Sequence, residues 1–572
     1  MKAHPTRRES FEHGEERAMV PAQALSAFSE AIRAAIAARY ASAPTPEIAF
    51  EAPRRPEFGD FATNAAFELA RPARSAPAAI ASLLVSDLQQ NAPQLAEIFA
   101  EISVTAGFIN LRLQPHVWQG AVAQIVREGA RFGESPSQNT RISLEFGSAN
   151  PTGPLVVVQG RTCSIGATLA NAMRYCGYDV FTEWIINDAG GQLDTLGRSL
   201  YARYCQVFDS NYPFPEEGYP GDYLLPIAEN IARTDGERWR NETEDTWLPH
   251  FSVTGRDTLV YEQKRTAARF GVHFDLWQSE KELQDQGHVQ AGLQRLIDAG
   301  VTYEEDGAIY FRATNFGDDK DRVLVRRDGR PTYFCTDVAY HYDKLQRAER
   351  VIDILGPDHH GYIGRLKGLA EALGYDRDRL DALIAQQITL MRGTEQVSMS
   401  KRAGHIVTLD DIMDEVGVDA ARFFFVLPAP ESPLTFDLQL AKEQTNENPV
   451  YYVQYGHARI ASVFRNAAPE DAAAARTNTD LAPLQHPTEL ALARRITELP
   501  RVVRNVVDQL APHRLTRYAR DVASDFHQFY TECKILTDDR AQRLARLTLC
   551  VATQTVLARV LGLIGVSAPD SM

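Results

Sequence analysis

From Ile142 to Phe146 the chain is mostly apolar. It then turns through Gly147-Ser148-Ala149-Asn150-Pro151-Thr152-Gly153-Pro154 and enters an amphipathic stretch that runs to Tyr175. A strand, a turn rich in Gly and Pro, and a helix N-terminus in that order suit a nucleotide site. Unpaired backbone N–H groups and the helix dipole attract phosphate there. Similar apolar runs recur at Val180–Ile186, Val351–Leu355 and Gln387–Met391, with helical patterns between them. Buried strands separated by helices predict a doubly wound parallel sheet over about Arg141 to Leu427.

The pattern differs on either side of this region. From Val20 to Leu113, Ala22–Tyr40 reads as a helix, Glu57 to Asn64 opens a second, and a third follows Pro77. Short alternating segments at Ile102–Val104 and Gly107–Leu113 read as strands, which makes a compact α+β domain. From Ala441 to Met572 the reading is all helix. Leu515, Tyr518, Ala519, Val522, Phe526, Phe529 and Tyr530 repeat at helical spacing, and a second stripe runs from Asp538 to about Gly562. Ala467 to Asp480, rich in Ala, Thr and Asn, reads as a flexible loop between them.

Composition narrows the functional classes. A hydrophobic share of 44% and a charged share of 24% are those of an ordinary globular protein. The net charge of −15 argues against nucleic-acid binding over the whole surface, while leaving room for a local basic face. The cysteines Cys163, Cys176, Cys205, Cys335, Cys533 and Cys550 are widely spaced and form no C-x-x-C pair. That spacing predicts no structural zinc, no disulfide framework and a reducing, cytoplasmic setting. No apolar run reaches the roughly 18 residues that span a bilayer, so no membrane partner is expected. Residues 1–19 are polar with no apolar core segment and read as a disordered extension rather than a secretory signal.

Polar clusters stand where the central strands end: Asn187-Asp188-Ala189-Gly190, Tyr333-Phe334-Cys335-Thr336-Asp337, Gly356-Pro357-Asp358-His359-His360-Gly361 and Ser398-Met399-Ser400-Lys401-Arg402. Ligands of open α/β sheets bind at the carboxyl ends of strands, so these clusters are expected to converge.

Together with Gly59-Asp60-Phe61-Ala62-Thr63-Asn64 and Asn448-Pro449-Val450-Tyr451-Tyr452-Val453-Gln454-Tyr455-Gly456-His457-Ala458-Arg459, the clusters make the chain resemble bacterial arginyl-tRNA synthetases, class I ligases with a Rossmann-type catalytic domain. The resemblance covers nearly the whole chain. It implies ATP-dependent attachment of L-arginine to tRNA(Arg) through an arginyl-adenylate, with Mg²⁺ accompanying ATP, by a monomer. It also implies a D-loop-recognising domain over 20–115, a catalytic domain with insertions over 116–440 and a helical anticodon-binding domain over 441–572. By motif position Glu145, Ser148, Asn150, Tyr333 and Asp337 would face arginine, whose guanidinium suits carboxylates and flat partners. Gly160, Asp358, His360, Met399, Ser400 and Lys401 would serve ATP. Phe108 and Asn110 would read an extruded D-loop base by stacking and edge hydrogen bonds, although a core Phe beside a turn Asn would look the same. Tyr452, Tyr455 and Met572 would meet anticodon bases, and the spacing of the tyrosines equally suits a packed core.

The chain departs from the family where ATP should bind. Val156-Val157-Val158-Gln159 replaces the His-Val-Gly-His signature, and Ser398 replaces the first lysine of Lys-Met-Ser-Lys-Ser. Gly191 stands where an amide is usual. Loss of one preorganised donor costs about 3–4 kcal/mol of transition-state stabilisation. Two expectations therefore stand side by side. One is a working ligase in which Gln159 and Lys401 serve catalysis. The other is an impaired or repurposed paralogue that binds arginine or tRNA without ordinary aminoacylation.

Overall fold

The computed structural model describes residues 19–41, 43–53, 55–357, 362–397 and 407–572. It contains two compact units, each assembled from several stretches of chain. Most of the proposed extension, and the residues Asp358, His360, Met399, Ser400 and Lys401, lie outside the described residues.

The first unit takes the chain as far as Phe132, together with 459–498 and 524–556. Its small antiparallel sheet has the order β1 (Phe61–Thr63), β3 (Phe108–Leu113), β2 (Phe99–Thr105). The helix Pro21–Arg39 buries Ala24, Phe28, Ile32 and Ile36, a stripe at four-residue spacing. The expected second helix begins only at Ala65, because Phe61–Thr63 joins the sheet instead. Asp60 ties this unit together: its Oδ2 accepts from the Leu113 N–H at 2.8 Å, and Arg494 lies 2.7 Å from its other oxygen. The stretch expected as a loop after Ala467 holds a short helix, Pro469–Ala474. Asp471 on it is drawn inward by Arg540 and Arg543 at 3.1 and 2.8 Å, an ion pairing across the unit that local composition does not reveal.

The second unit comprises 133–458, 499–523 and 557–572. Its centre is a five-stranded, wholly parallel sheet: β4 (Arg141–Glu145), β5 (Asp179–Ile186), β6 (Leu276–Ser279), β7 (Arg350–Leu355) and β8 (Leu380–Ile384), in the spatial order β8-β7-β4-β5-β6. From β4 the chain moves outward to β5, and it later returns on the other side at β7. The carboxyl ends of β4 and β7 therefore flank a topological switch point. The run expected as a strand of this sheet near Gln387 belongs elsewhere. Ile388–Arg392 pairs in parallel with Leu434–Asp437 in a separate three-stranded sheet. The sheet takes β6 and β8 in its place, two short strands flanked by charge.

The helix Val157–Tyr175 follows β4 and packs into the unit. Arg161 on it is 1% exposed and points its guanidinium at the main-chain carbonyls of Gln386, Ala429 and Ser432, at 2.6, 3.1 and 2.7 Å. A charge buried without a carboxylate is held by dipoles, and burial lowers its pKa to about 10. The helix Arg540–Ile564 is long and apolar enough to cross a membrane, but 72% of its apolar window is buried inside the protein.

Candidate active site

A cleft of about 320 Å³ opens at the carboxyl end of β5, lined by Asn150, Ile185, Asn187, Gln192, Glu280, Tyr333, Thr336, Asp337 and Tyr340. Its polar wall begins in the loop after β4. Asn187 Nδ2 donates to Asn150 Oδ1 at 3.1 Å, and Gln192 Nε2 donates to the Asn187 carbonyl at 2.6 Å. Gln263 holds the loop from behind, donating to the carbonyls of Asn150 and Gly153 at 3.0 and 2.9 Å. Ser148 and Glu145 sit one hydrogen bond behind the wall. The Ile185 N–H donates to Ser148 Oγ at 3.0 Å, and Ser148 donates to Glu145 Oε1 at 2.8 Å.

The opposite wall is the helix Tyr333–Arg347, capped by Thr332, whose hydroxyl accepts from the Cys335 N–H. Tyr333, Asp337 and Tyr340 are four and three residues apart and so share one face. The Tyr333 ring is 65% exposed to the cleft mouth. Its hydroxyl lies 2.8 Å from where a Cβ at residue 190 would stand, and Gly190 has φ +103°, so only glycine fits there without strain. At Gly191 a side chain would meet open space, and Gln192 supplies an amide one residue later.

Two acids define the electrostatics. Asp337 accepts a hydrogen bond from the Tyr362 hydroxyl. Burial, against the pull of His341 and with the push of Glu145, raises its pKa to about 7. Glu280 is 6% exposed, and burial followed by the charges of Asp337 and Asp188 raises it to about 7 as well. Among the described residues neither carboxyl has a salt-bridge partner. A cleft with two unpaired acids, amide walls and tyrosine rings suits a flat, delocalised cation such as a guanidinium. Sequence reasoning missed Glu280. It lies in a polar run, Gln278-Ser279-Glu280-Lys281-Glu282, where nothing local sets it apart from its neighbours.

A second, smaller cleft of about 170 Å³ lies on the other side of the same loop, lined by Asn150, Thr152, Gly153, Val156, Gln159 and Tyr219 among others. The Val156 N–H donates to Gln159 Oε1 at 3.2 Å, so the oxygen of this amide is engaged and its NH₂ is left for the cleft. Gly160 also has a packing role. A Cβ there would meet Leu409 and Phe425 at 2.7 and 2.9 Å, so its bareness serves close packing. The Leu409 N–H donates to the Leu155 carbonyl at 2.8 Å, and Val156 bridges Thr408.

In the first unit Phe108 and Asn110 line a separate cavity of about 660 Å³ with Phe58, Asn64, Phe67 and Ala106 among others. The Phe108 ring is 41% exposed, whereas Asn110 is 3% exposed and its Nδ2 has no hydrogen-bond partner among the described residues. Buried amides are rarely left unpaired, so this donor invites a ligand. In the second unit Tyr455 stacks on Tyr451, ring centroids 5.9 Å apart. Gln454 and His457 hold the main-chain carbonyls of Ser567 and Pro569 at 3.0 and 2.9 Å, which anchors the tail that ends in exposed Met572.

Three family models match the chain: the arginyl tRNA synthetase N terminal domain over residues 26–113, the catalytic domain of class I (R) tRNA synthetases over 254–424, and the DALR anticodon binding domain over 453–572. The chain is 43% identical over 530 residues to the arginine–tRNA ligase of Syntrophotalea carbinolica, spanning 92% of this chain and 95% of that one. It is 40% identical over 530 residues to the Staphylococcus epidermidis enzyme, with the same coverage. Among solved structures, Thermus thermophilus arginyl-tRNA synthetase superposes with a TM-score of 0.74 at 22% identity, over 96% of this chain and 100% of that one. The putative Campylobacter jejuni arginyl-tRNA synthetase gives 0.73 at 30% identity, over 80% and 100%.

Proposed function

The chain belongs to the arginyl-tRNA synthetase family and has arginine–tRNA ligase function, and from that premise we propose how its own residues divide the work. The cleft between Asn150 and Tyr333 takes arginine. Asp337 and Glu280 receive the guanidinium, Tyr333 covers it, and Glu145, Ser148 and Asn150 complete the arginine side from the end of β4 and the loop after it. The observation behind this assignment is the pair of cleft acids that lack a cation among the described residues. ATP enters beside the loop that follows β4, with Mg²⁺ as the counter-ion of its phosphates. Gln159 and the first backbone N–H groups of the helix Val157–Tyr175 face it. Lys401, Ser400 and Met399, like Asp358 and His360, are assigned to ATP by their motifs alone.

No side-chain nucleophile is required. The arginine carboxylate attacks the α-phosphate and pyrophosphate leaves, so catalysis consists of positioning and charge stabilisation. The valines of the altered signature need not abolish it, because donors at a helix start are mainly backbone. The impaired or repurposed reading has no observation in its favour. Residues 20–115 take the tRNA D-loop at Phe108 and Asn110, and 441–572 take the anticodon at Tyr452, Tyr455 and Met572. Six buried, unpaired cysteines suit the cytoplasm, where we place the protein as a monomer.

The test is ATP–pyrophosphate exchange by the purified protein. Exchange that requires both arginine and tRNA supports the assignment. Tight tRNA binding without any exchange overturns it.

A further inference from the structure

The motif Asn187-Asp188-Ala189-Gly190 gives the cleft between Asn150 and Tyr333 one wall residue, Asn187, and sets the bare Gly190 against the Tyr333 hydroxyl. Asp188 does not line that cleft. It lines a neighbouring cavity of about 400 Å³ with Ile186, Ser279 and Lys281. The split follows from backbone alternation at the strand ends: Ile185, Asn187 and Glu280 face the first cleft, and the residues beside them face the second.

Asp188 is 3% exposed, and a carboxylate is costly to bury unless it is well partnered. β5 and β6 end level, with Ile186 paired to Ser279, so Asp188 reaches across to the start of the helix Glu280–Asp285. Its Oδ1 accepts from the Lys281 N–H at 3.0 Å, and the Ser279 hydroxyl lies 2.9 and 2.8 Å from its two oxygens. Ser279 Oγ accepts in turn from the Glu282 N–H at 3.1 Å. Two N–H groups that a helix start leaves open are thus closed by one carboxylate and one hydroxyl. Arg256 Nη1, 3.6 Å from Oδ2, offsets the charge.

Glu280 stands between these anchors. Its carboxyl has no hydrogen-bond or salt-bridge partner among the described residues, so the main chain on either side sets its place. Gln284, on the same helix, donates to Thr336 Oγ1 at 3.4 Å and ties it to the helix that carries Asp337. The charge of Asp188 works against an ionised Glu280, so what Asp188 contributes is position.

We propose that Asp188 is a positioning residue: by fixing the main chain around Glu280 it holds that carboxyl in place beside Asp337 and so shapes the cleft for one guanidinium. The proposal rests on the assignment of the cleft given above. Binding groups must be held within about 0.5 Å of their productive place, and a shift of about 1 Å can cost on the order of 10²-fold.

The test is a double-mutant cycle on the full chain, Asp188→Ala and Glu280→Gln singly and together, read as kcat/KM for arginine in tRNA-dependent ATP–pyrophosphate exchange. Asp188→Ala should lower kcat/KM about tenfold through KM, with kcat and the KM for ATP within about twofold. In the Glu280→Gln background the same change should cost less than about twofold. Asp188→Asn should stay within about threefold of wild type, because one amide oxygen can still accept from both Ser279 and Lys281. Should Asp188→Ala fail to fold, Ser279→Ala carries the same cycle. An equal loss in both backgrounds, no loss in folded Asp188→Ala, or Asp188→Asn as harmful as Asp188→Ala overturns the inference. A KM for ATP that rises in step with that for arginine overturns it too. Glu280→Gln that leaves kcat/KM for arginine unchanged overturns instead the assignment of the cleft.

Discussion

Asp337 and Glu280 are carboxylic acids that stay partly protonated near neutral pH, because burial disfavours ionisation of both and neighbouring carboxylates add to it, Glu145 and Asp353 at Asp337, and Asp337 and Asp188 at Glu280. An arriving guanidinium favours the ionised form, so arginine must displace protons when the pH lies below their shared value of about 7. The KM for arginine should therefore rise as pH falls from about 8 to about 6 and level off above that range. A KM that is flat over this interval would show that the pair does not face the substrate. The same raised values work against the free protein. Between the usual carboxylate range and pH 7 the native state binds more protons than the unfolded one, so stability falls as pH rises. Glu280→Gln should thus raise the melting temperature at pH 8, read by calorimetry, while lowering kcat/KM for arginine about 10²-fold or more.

At the scale of the element, the start of the helix Val157–Tyr175 concentrates the departures from the family signature. Val156 and Val157 contribute backbone, Gln159 contributes an amide, and Gly160 contributes only the absence of a side chain. Gln159→Ala should lower the exchange rate about 10²-fold with little change in thermal stability, since it removes one donor from a cleft. Gly160→Ala should do the reverse. The new methyl would press on Leu409 and Phe425 and cost about 1–3 kcal/mol in denaturant unfolding. If Gly160→Ala instead abolished ATP binding in a fully stable protein, its assignment to packing would be wrong. At the next residue, both terminal nitrogens of Arg161 donate to main-chain carbonyls, and this seats the helix against the segments around Gln386 and Ser432.

At the scale of the whole molecule, the proposed tasks fall in separate units. The cavity around Phe108 and Asn110 lies wholly in the first unit and the cleft proposed for arginine wholly in the second. Asn110→Ala should weaken tRNA binding, measured by filter retention, by about 1–3 kcal/mol while leaving the KM for arginine unchanged at saturating tRNA. Equal loss of both would mean that the cavity serves folding rather than recognition.

The sequence alone determined the class of each region, because periodicity is a local property. Period-3.6 stripes marked the helices at both ends, and apolar runs marked β4, β5 and β7. The family was equally legible, since its motifs are contiguous in the chain, as in Asn187-Asp188-Ala189-Gly190. Tertiary structure decided what local pattern could not. Ile388–Arg392 has the composition of a central strand, yet it pairs with Leu434–Asp437 in another sheet, because pairing is settled by partners 46 residues away. Asp471 looked like part of a polar loop until Arg540 and Arg543 arrived from a distant helix. Glu280 became part of the cleft proposed for arginine only because the stretch after β6 lines it together with Asp337. Asp353 did leave a trace, an acid inside the apolar run Val351-Ile352-Asp353-Ile354-Leu355. Its meaning depended on Lys344 reaching it from a helix and on Glu145 lying beside it on the next strand. Charges act through space, and only the folded chain sets those distances.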